Sequence, residues 1–186
     1  IVNSNGSLFA QIEKNVNGVV TTLASVPVAT GIGTLRFEVA DNSLRLFYGA
    51  VVNINSPDDP LPLVAFANDS QLTAAGTAGF RTQSGNLSVD NFRASAIALQ
   101  VPAMPFADDF DTQSNGEQLG VNWVNRSGNF QVNNQAIVAA PGLTPSLATL
   151  FGVSLDHSLA QAKVNVGGVG NYAGVVVLAR VLDGDE

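Results

Sequence analysis

The sequence predicts an all-β protein built from antiparallel strands, arranged as a sandwich or a barrel. Short segments of alternating apolar and polar residues recur at a spacing of about ten residues, with turn residues between them. No segment shows a sustained helical period with capping residues at both ends. Small β-forming residues, Asn and Gly dominate the composition, which is typical of short strands joined by tight turns.

Two hairpins are predicted near the start of the chain. Ser7–Lys14 and Val19–Ala24 flank a turn at residues 15–18, where Asn-Gly is a strong hairpin signal. Thr34–Val39 and Ser43–Tyr48 flank a second turn at residues 41–43. In the first strand of this second hairpin, one face carries Leu35, Phe37 and Val39 and the other carries Arg36 and Glu38, because successive side chains alternate in a strand.

Further strands are predicted along the rest of the chain. They are Leu63–Ala67, Gly79–Gln83, Leu87–Ala98, Phe106–Asp111, Gly128–Val132, Gln135–Ala139, Thr149–Leu155, Ala160–Val166 and Gly174–Leu182. Residues 56–62 are expected to form a loop, because three prolines do not fit inside a central strand. Prolines 102 and 105 make residues 101–105 the best linker.

Composition excludes several classes of function. Apolar residues make up 46% of the chain and charged residues 12%, enough apolar material for a core. The net charge is −7 with only 8 Lys and Arg, so no basic surface for nucleic acid is expected. The chain has no cysteine, which excludes disulfides, zinc-thiolate sites and thiol catalysis. No uninterrupted apolar stretch is long enough to predict a membrane span.

Two sets of motifs resemble the opening and the closing of a known fold. A Phe106/Asp108/Phe110 segment, Trp123 and a Gly128/Phe130/Val132 segment match its opening. The hairpin from Leu35-Arg36 to Tyr48, Gly76–Arg81 and Val89–Phe92 match its closing. As a set they resemble the concanavalin A-like lectin/glucanase superfamily in its laminin-G-like branches, which implies an antiparallel jelly-roll β-sandwich.

The two sets occur in swapped order. Residues 1–100 resemble the closing half of a sandwich, and residues 106–186 resemble the opening half of the same or the next sandwich. The swapped order indicates an excerpt from a tandem array, or a unit that completes its fold with a neighbour. A half-sandwich leaves an apolar face and strand edges unpaired, so it pairs with a complementary half. That half comes either from the same chain, as in a circular permutant, or from the next repeat or subunit. Pairing between copies is heterologous and yields a filament.

The resemblance also implies a metal site. In that fold the first and last strands pair, which brings Asp90 close to Asp108, Asp109 and Asp111. Carboxylates on paired strands together with loop carbonyls supply the six to eight oxygen ligands that Ca²⁺ prefers. The alternative is that these carboxylates cap strand ends and face water.

Catalysis is not expected. The glucanases of the superfamily use a Glu-x-Asp-x-x-Glu cluster, and the nearest match, Glu38 to Asp41, lacks the second Glu. The only histidine, His157, has no nucleophile motif beside it. Sugar binding needs an aromatic platform, and the chain has one Trp and two Tyr. Trp123 is expected to lie in the core.

The sequence thus predicts a non-catalytic structural repeat of a large extracellular or cell-surface protein, with neighbouring copies of itself as partners. The alternative is a calcium-dependent carbohydrate-binding module of an adhesin or secreted enzyme, with glycans as partners. A glycoside hydrolase is a third, less supported hypothesis.

Overall fold

The computed structural model describes residues 1–49, 61–72, 74–82, 88–140, 145–166 and 173–174. The chain divides into two compact units, residues 1–151 and residues 152–186. All strands that the structure describes lie in the first unit. In the second unit, the described residues have no strand and are almost all exposed.

The first sheet of the larger unit has three antiparallel strands in the order β1-β2-β3. They are β1 (Val2–Ser4), β2 (Ser7–Val16) and β3 (Val19–Val28). The predicted hairpin is confirmed: Val16 pairs with Val19, and Asn17 and Gly18 both have positive φ, as a type I′ turn requires. A second Asn-Gly turn at Asn5 and Gly6 adds β1, which the sequence did not predict.

The second sheet also has three antiparallel strands, in the order β4-β5-β6. They are β4 (Thr34–Ala40), β5 (Ser43–Gly49) and β6 (Leu63–Asn68). The turn between β4 and β5 is as predicted, with Asp41 at a φ of 57°. Since β5 pairs with both neighbours, β4 and β6 are the edge strands among the strands described.

These two sheets pack face to face and enclose the main core. Ala10 and Ile12 of β2 meet Leu46 of β5 and Ala65 of β6, and all four are buried. Partly buried apolar residues of β3, β5 and β6 surround them: Leu23, Ala24, Val26, Val28, Leu44, Val64 and Ala67. The chain is therefore an all-β protein with stacked antiparallel sheets, as predicted.

Two short hairpin-like pairs follow in the same unit. Strands β7 (Trp123–Ser127) and β10 (Leu147–Leu150) pair, as do β8 (Phe130–Val132) and β9 (Ile137–Ala139). The buried residues in these strands are Val124, Asn125 and Val132, and Leu119 and Asn129 beside them are also buried. Because β5 contacts β7 as well as β2, this third layer lies against the β4–β6 sheet.

Several predicted strands are wrong. Residues 79–82, 88–98, 106–111, 151–155 and 160–166 form no strand where the structure describes them. Phe110 has a φ of 59° and Asn91 a φ of 54°, and the left-handed region is incompatible with an extended strand. Residues 160–166 are exposed, so their alternating pattern has no core to face.

Two other predictions fall mostly outside the described residues. They are the loop over residues 56–62, of which only 61 and 62 are described, and the strand Gly174–Leu182, of which only Gly174 is described. The division into residues 1–100, 101–105 and 106–186 stays a prediction. The described residues include no helix that could serve as a membrane span.

Candidate interaction surface

The most unusual feature of the described surface is the apolar face of β4. Leu35 is 50% exposed, Phe37 51% and Val39 49%. Their partners on β5 are Tyr48, Leu46 and Leu44, which lie on the core side of the sheet. The apolar face of β4 thus continues the core-facing side of the sheet beyond the area that the β1–β3 sheet covers. We call Leu35, Phe37 and Val39 the β4 apolar stripe.

The opposite face of β4 carries charge and is more buried than the stripe. Glu38 Oε1 lies 3.1 Å from Arg36 Nε, and Glu38 Oε2 lies 3.2 Å from Arg45 Nη2. The guanidinium of Arg36 also lies 4.2 Å from the centre of the Phe47 ring. These contacts hold the charged face of the hairpin in place, so the alternation predicted for β4 is confirmed.

Arg45 is the most buried charged side chain of this network, at 8% exposure. Desolvation by burial lowers the pKa of its guanidinium, and the nearby Glu38 carboxylate opposes that effect. Arg45 Nη1 donates to Gln118 Oε1 at 3.4 Å. The Nε atom of Arg45 and the Nε2 atom of Gln118 are buried without a hydrogen-bond partner among the described residues. The side chain therefore links β5 to the 112–120 segment.

A second polar link joins the β4–β5 turn to the third layer. Arg126 Nη1 donates to Asp41 Oδ2 at 2.8 Å, and its Nε donates to Thr149 Oγ1 at 3.0 Å. Asn42 Nδ2 donates to the Arg126 carbonyl at 3.3 Å. Residues from both predicted halves thus contact each other within one chain. The two acids of the hydrolase hypothesis are held in separate ion pairs: Glu38 with Arg36 and Arg45, and Asp41 with Arg126.

The predicted calcium ligands accept hydrogen bonds from their own neighbourhood. Asp108 Oδ1 accepts from Phe110 N at 3.1 Å, and Asp109 Oδ1 accepts from Asp111 N at 3.1 Å. Asp90 Oδ1 accepts from Asn91 N at 2.8 Å. Within the described ranges, no group of three or more acidic or histidine side chains is arranged to hold a metal ion. Calcium at Asp90, Asp108, Asp109 and Asp111 stays a prediction.

The indole of Trp123, the only Trp of the chain, is held by a hydrogen bond and by two phenylalanine rings. Trp123 Nε1 donates to Asp108 Oδ2 at 2.9 Å. The Phe106 ring meets the indole edge-on at 5.8 Å between centroids, and the Phe110 ring lies at 6.3 Å. The indole is half-buried at the start of β7. This aromatic cluster, which the sequence resemblance placed on a first strand, is instead made by turns at residues 106–111.

The described surface also has two shallow grooves. One, of about 370 Å³, is lined by Leu23, Phe66, Ala67, Asn68, Arg126 and Ser127. The other, of about 430 Å³, is lined by Leu61, Pro62, Leu63, Asn115, Gly116 and Gln131. Neither lining includes Trp, Tyr or an acidic side chain, and only the first groove offers an aromatic ring, that of Phe66.

The architecture defines an all-β protein whose clearest surface feature is an apolar edge strand. No match to this chain is found among protein-family models, curated proteins or solved structures. Sequence reasoning identified the two faces of β4 but not which face is covered. The missing signal is tertiary: it depends on how far the β1–β3 sheet extends over its neighbour.

Proposed function

We propose that this chain is a non-catalytic structural module of a large extracellular or cell-surface protein. It is a repeat that associates with neighbouring copies through β-strand complementation, head to tail in a fibre or array. The observation that carries the proposal is the β4 apolar stripe, which lies on an edge strand. Exposed strand edges and contiguous apolar patches are the usual sites of association between β-proteins.

The balance of burial in the described residues supports association. Exposed large apolar side chains outnumber buried ones in these ranges. Single exposed apolar residues need no explanation, but the β4 stripe places three of them side by side on one strand. Covering such a stripe with another apolar surface is favourable by roughly 25 cal/mol for each Å² removed from water.

For the fold, we propose a concanavalin A-like jelly roll in which a closing half precedes an opening half. The stacked antiparallel sheets and their unpaired edges are compatible with this arrangement. In an array, the opening half of one unit and the closing half of the next would complete a sandwich. A contact of this kind is heterologous, so it repeats indefinitely instead of closing.

Sedimentation of the 186-residue chain over a wide range of concentrations tests the proposal. We expect species larger than 19.2 kDa whose proportion rises with concentration. A single 19.2 kDa species at every concentration would contradict it. Repeating the series with calcium and with a chelator, and measuring glycan binding under the same two conditions, tests the alternative. Glycan binding that requires calcium, with no change in mass, would favour the carbohydrate-binding module.

A further inference from the structure

The β4 strand has a sequence that is complementary to itself. Reading outward from Phe37 in either direction, the chain meets one charged residue and then one apolar residue. The charged residues, Arg36 and Glu38, have opposite signs. The apolar residues, Leu35 and Val39, share a face with Phe37. A strand with this pattern is matched by a second copy of itself running in the opposite direction.

We propose that two copies of the chain pair through β4 as antiparallel neighbours, with the twofold axis at Phe37. This deepens the proposed function, on which it rests, by naming the partner and the register. Phe37 lies opposite Phe37 of the partner subunit. Arg36 then lies opposite Glu38 of the partner subunit, and Leu35 opposite Val39 of the partner subunit. Both strand ends obey the same rule, so the interface is isologous.

Charge selects this register over its neighbours. Shifting the two strands by two residues in one direction places Arg36 opposite its own copy. The same shift in the other direction places Glu38 opposite its own copy. Like charges directly opposite each other destabilise a strand pair, whereas opposite charges stabilise it. A shift that pairs Arg36 with Phe37 turns every side chain of one strand to the wrong face.

The burial of β4 agrees with this pairing. The stripe is half exposed, so the apolar side chains of both copies can meet along one side of the joined sheets. The charged side chains lie on the other side, where Arg36 retains 35% and Glu38 21% side-chain exposure. No charge enters the apolar side. Of the strands described, β4 pairs only with β5, and the joined sheet would read β6-β5-β4-β4-β5-β6.

The twofold contact closes on itself. With this interface alone, the chain forms dimers and does not grow further. Growth into the array of the proposed function then uses a second, different surface. The head-to-tail contact of the array is that second surface, and the β4 pair is a separate, twofold contact.

Engineered cysteines test the register directly, because the chain contains none of its own. In the proposed pair, a Phe37→Cys side chain faces its own copy. Directly opposed residues in an antiparallel pair have Cα atoms about 4.5–5.5 Å apart, a separation that a disulfide spans. We expect mild oxidation of F37C to give a covalent dimer. Thiols held together at an effective concentration near millimolar react roughly a thousandfold faster than free thiols at micromolar protein.

Leu35→Cys is the matched control, because Leu35 lies on the same face with the same exposure. Position 35 faces position 39 of the partner subunit, so L35C alone should not cross-link. A mixture of L35C and Val39→Cys should cross-link rapidly, and that mixture retains Phe37 in both copies.

The cysteine variants and the sedimentation series separate the two proposals. Larger species in the wild-type chain together with equal cross-linking of F37C and L35C, or of neither, would overturn the β4 register and leave the proposed function standing. A wild-type chain that stays monomeric at every concentration would overturn both.

Discussion

Strands β4 and β5 are neighbours in one sheet, but their side chains differ in burial. In β5, side chains on both faces are buried: Leu46 and Tyr48 on one side, Arg45 and Phe47 on the other. In β4, the apolar side chains are half exposed and the charged ones are held in ion pairs. Both strands carry apolar residues at every second position, Leu35, Phe37 and Val39 in β4 and Leu44, Leu46 and Tyr48 in β5, so this pattern does not explain the difference. Position does, since β5 lies between two layers and β4 lies at the edge.

Two phenylalanines give the largest test of this comparison. Phe47 of β5 is 1% exposed, and Phe37 of β4 is 51% exposed. We expect Phe47→Ala to lower the free energy of unfolding by about 3–5 kcal/mol, the usual cost of emptying a buried aromatic site. Phe37→Ala should cost less than about 1 kcal/mol in the monomer. Urea denaturation at low protein concentration measures both. Equal losses would show that β4 is as well covered as β5.

The third layer, formed by β7 to β10, covers the side of β5 that carries Arg45 and Phe47, and its packing depends on a glycine. Gly128, between β7 and β8, has a φ of +58°, and a Cβ there would lie 2.4 Å from Ser146 Oγ and 3.0 Å from Ser146 Cα. Because both the backbone and the space oppose a side chain, Gly128→Ala should destabilise the chain by about 2–3 kcal/mol.

Gly116→Ala is the control for that variant. Gly116 also has a positive φ, of +88°, but open space around the site. Its substitution should cost only about 1 kcal/mol, the backbone part of the effect. Thermal unfolding of both variants measures this difference. Equal melting temperatures for G128A and G116A would show that the close approach of Ser146 to Gly128 does not affect stability.

An ion pair links the β1–β3 sheet, which covers the Leu46 side of β5, to the end of β6. Lys14 of β2 contacts Asp69, which follows β6, and also donates to Gln71 Oε1 at 2.9 Å. The hydrogen bond from Lys14 is the main cause that lowers the pKa of the Asp69 carboxyl below its usual value. Its contribution to stability is therefore complete above the unfolded-state pKa of about 4 and is lost as the pH falls through the lower folded-state value.

Removing the Lys14–Asp69 ion pair should lower the stability less than Phe47→Ala or Gly128→Ala does. We expect Asp69→Asn to cost about 1 kcal/mol at pH 7 and nothing at a pH below the folded-state pKa. Unfolding free energies of the wild-type chain and D69N, measured from pH 7 downward, should converge in acid. A difference that stays constant over the whole range would assign the loss to something other than the charge.

The smallest predicted effect concerns the aromatic cluster at the start of β7. Asp108→Ala removes the acceptor of the Trp123 indole N–H, so the fluorescence of this single Trp should change. The stability cost should be about 1 kcal/mol. Asp109→Ala is the matched control, because its carboxylate accepts from Asp111 N instead. Identical spectra for D108A and D109A would show that the indole contact does not form in solution.

Local chemistry made part of this fold predictable. Asn17-Gly18 fixed a hairpin because its backbone suits a type I′ turn, and the alternation in β4 and β5 fixed which side chains share a face. The strand predicted over Phe106–Asp111 is wrong because Asp108 and Asp109 instead form consecutive Asx turns, with Phe110 in the left-handed region.

The candidate surface was less predictable than the strands. An alternating strand shows two faces, but the sequence does not say which face another layer covers. Leu35 and Leu46 have the same periodicity, and only the limited width of the β1–β3 sheet leaves the first exposed and the second buried. Tertiary structure also decides whether Asp90 and Asp108 are close, because their predicted proximity depended on two strands that do not form.

The central claim is that the β4 apolar stripe is an association surface. The most direct test is light scattering of the wild-type chain and of Phe37→Asp over a range of concentrations, beside a Leu159→Asp control at a site that is 85% exposed in the second unit. We predict that the mass of the wild-type chain and of L159D rises above 19.2 kDa with concentration and that the mass of F37D rises less at every concentration, because F37D loses the β4 contact. The same concentration dependence for all three proteins would contradict the claim.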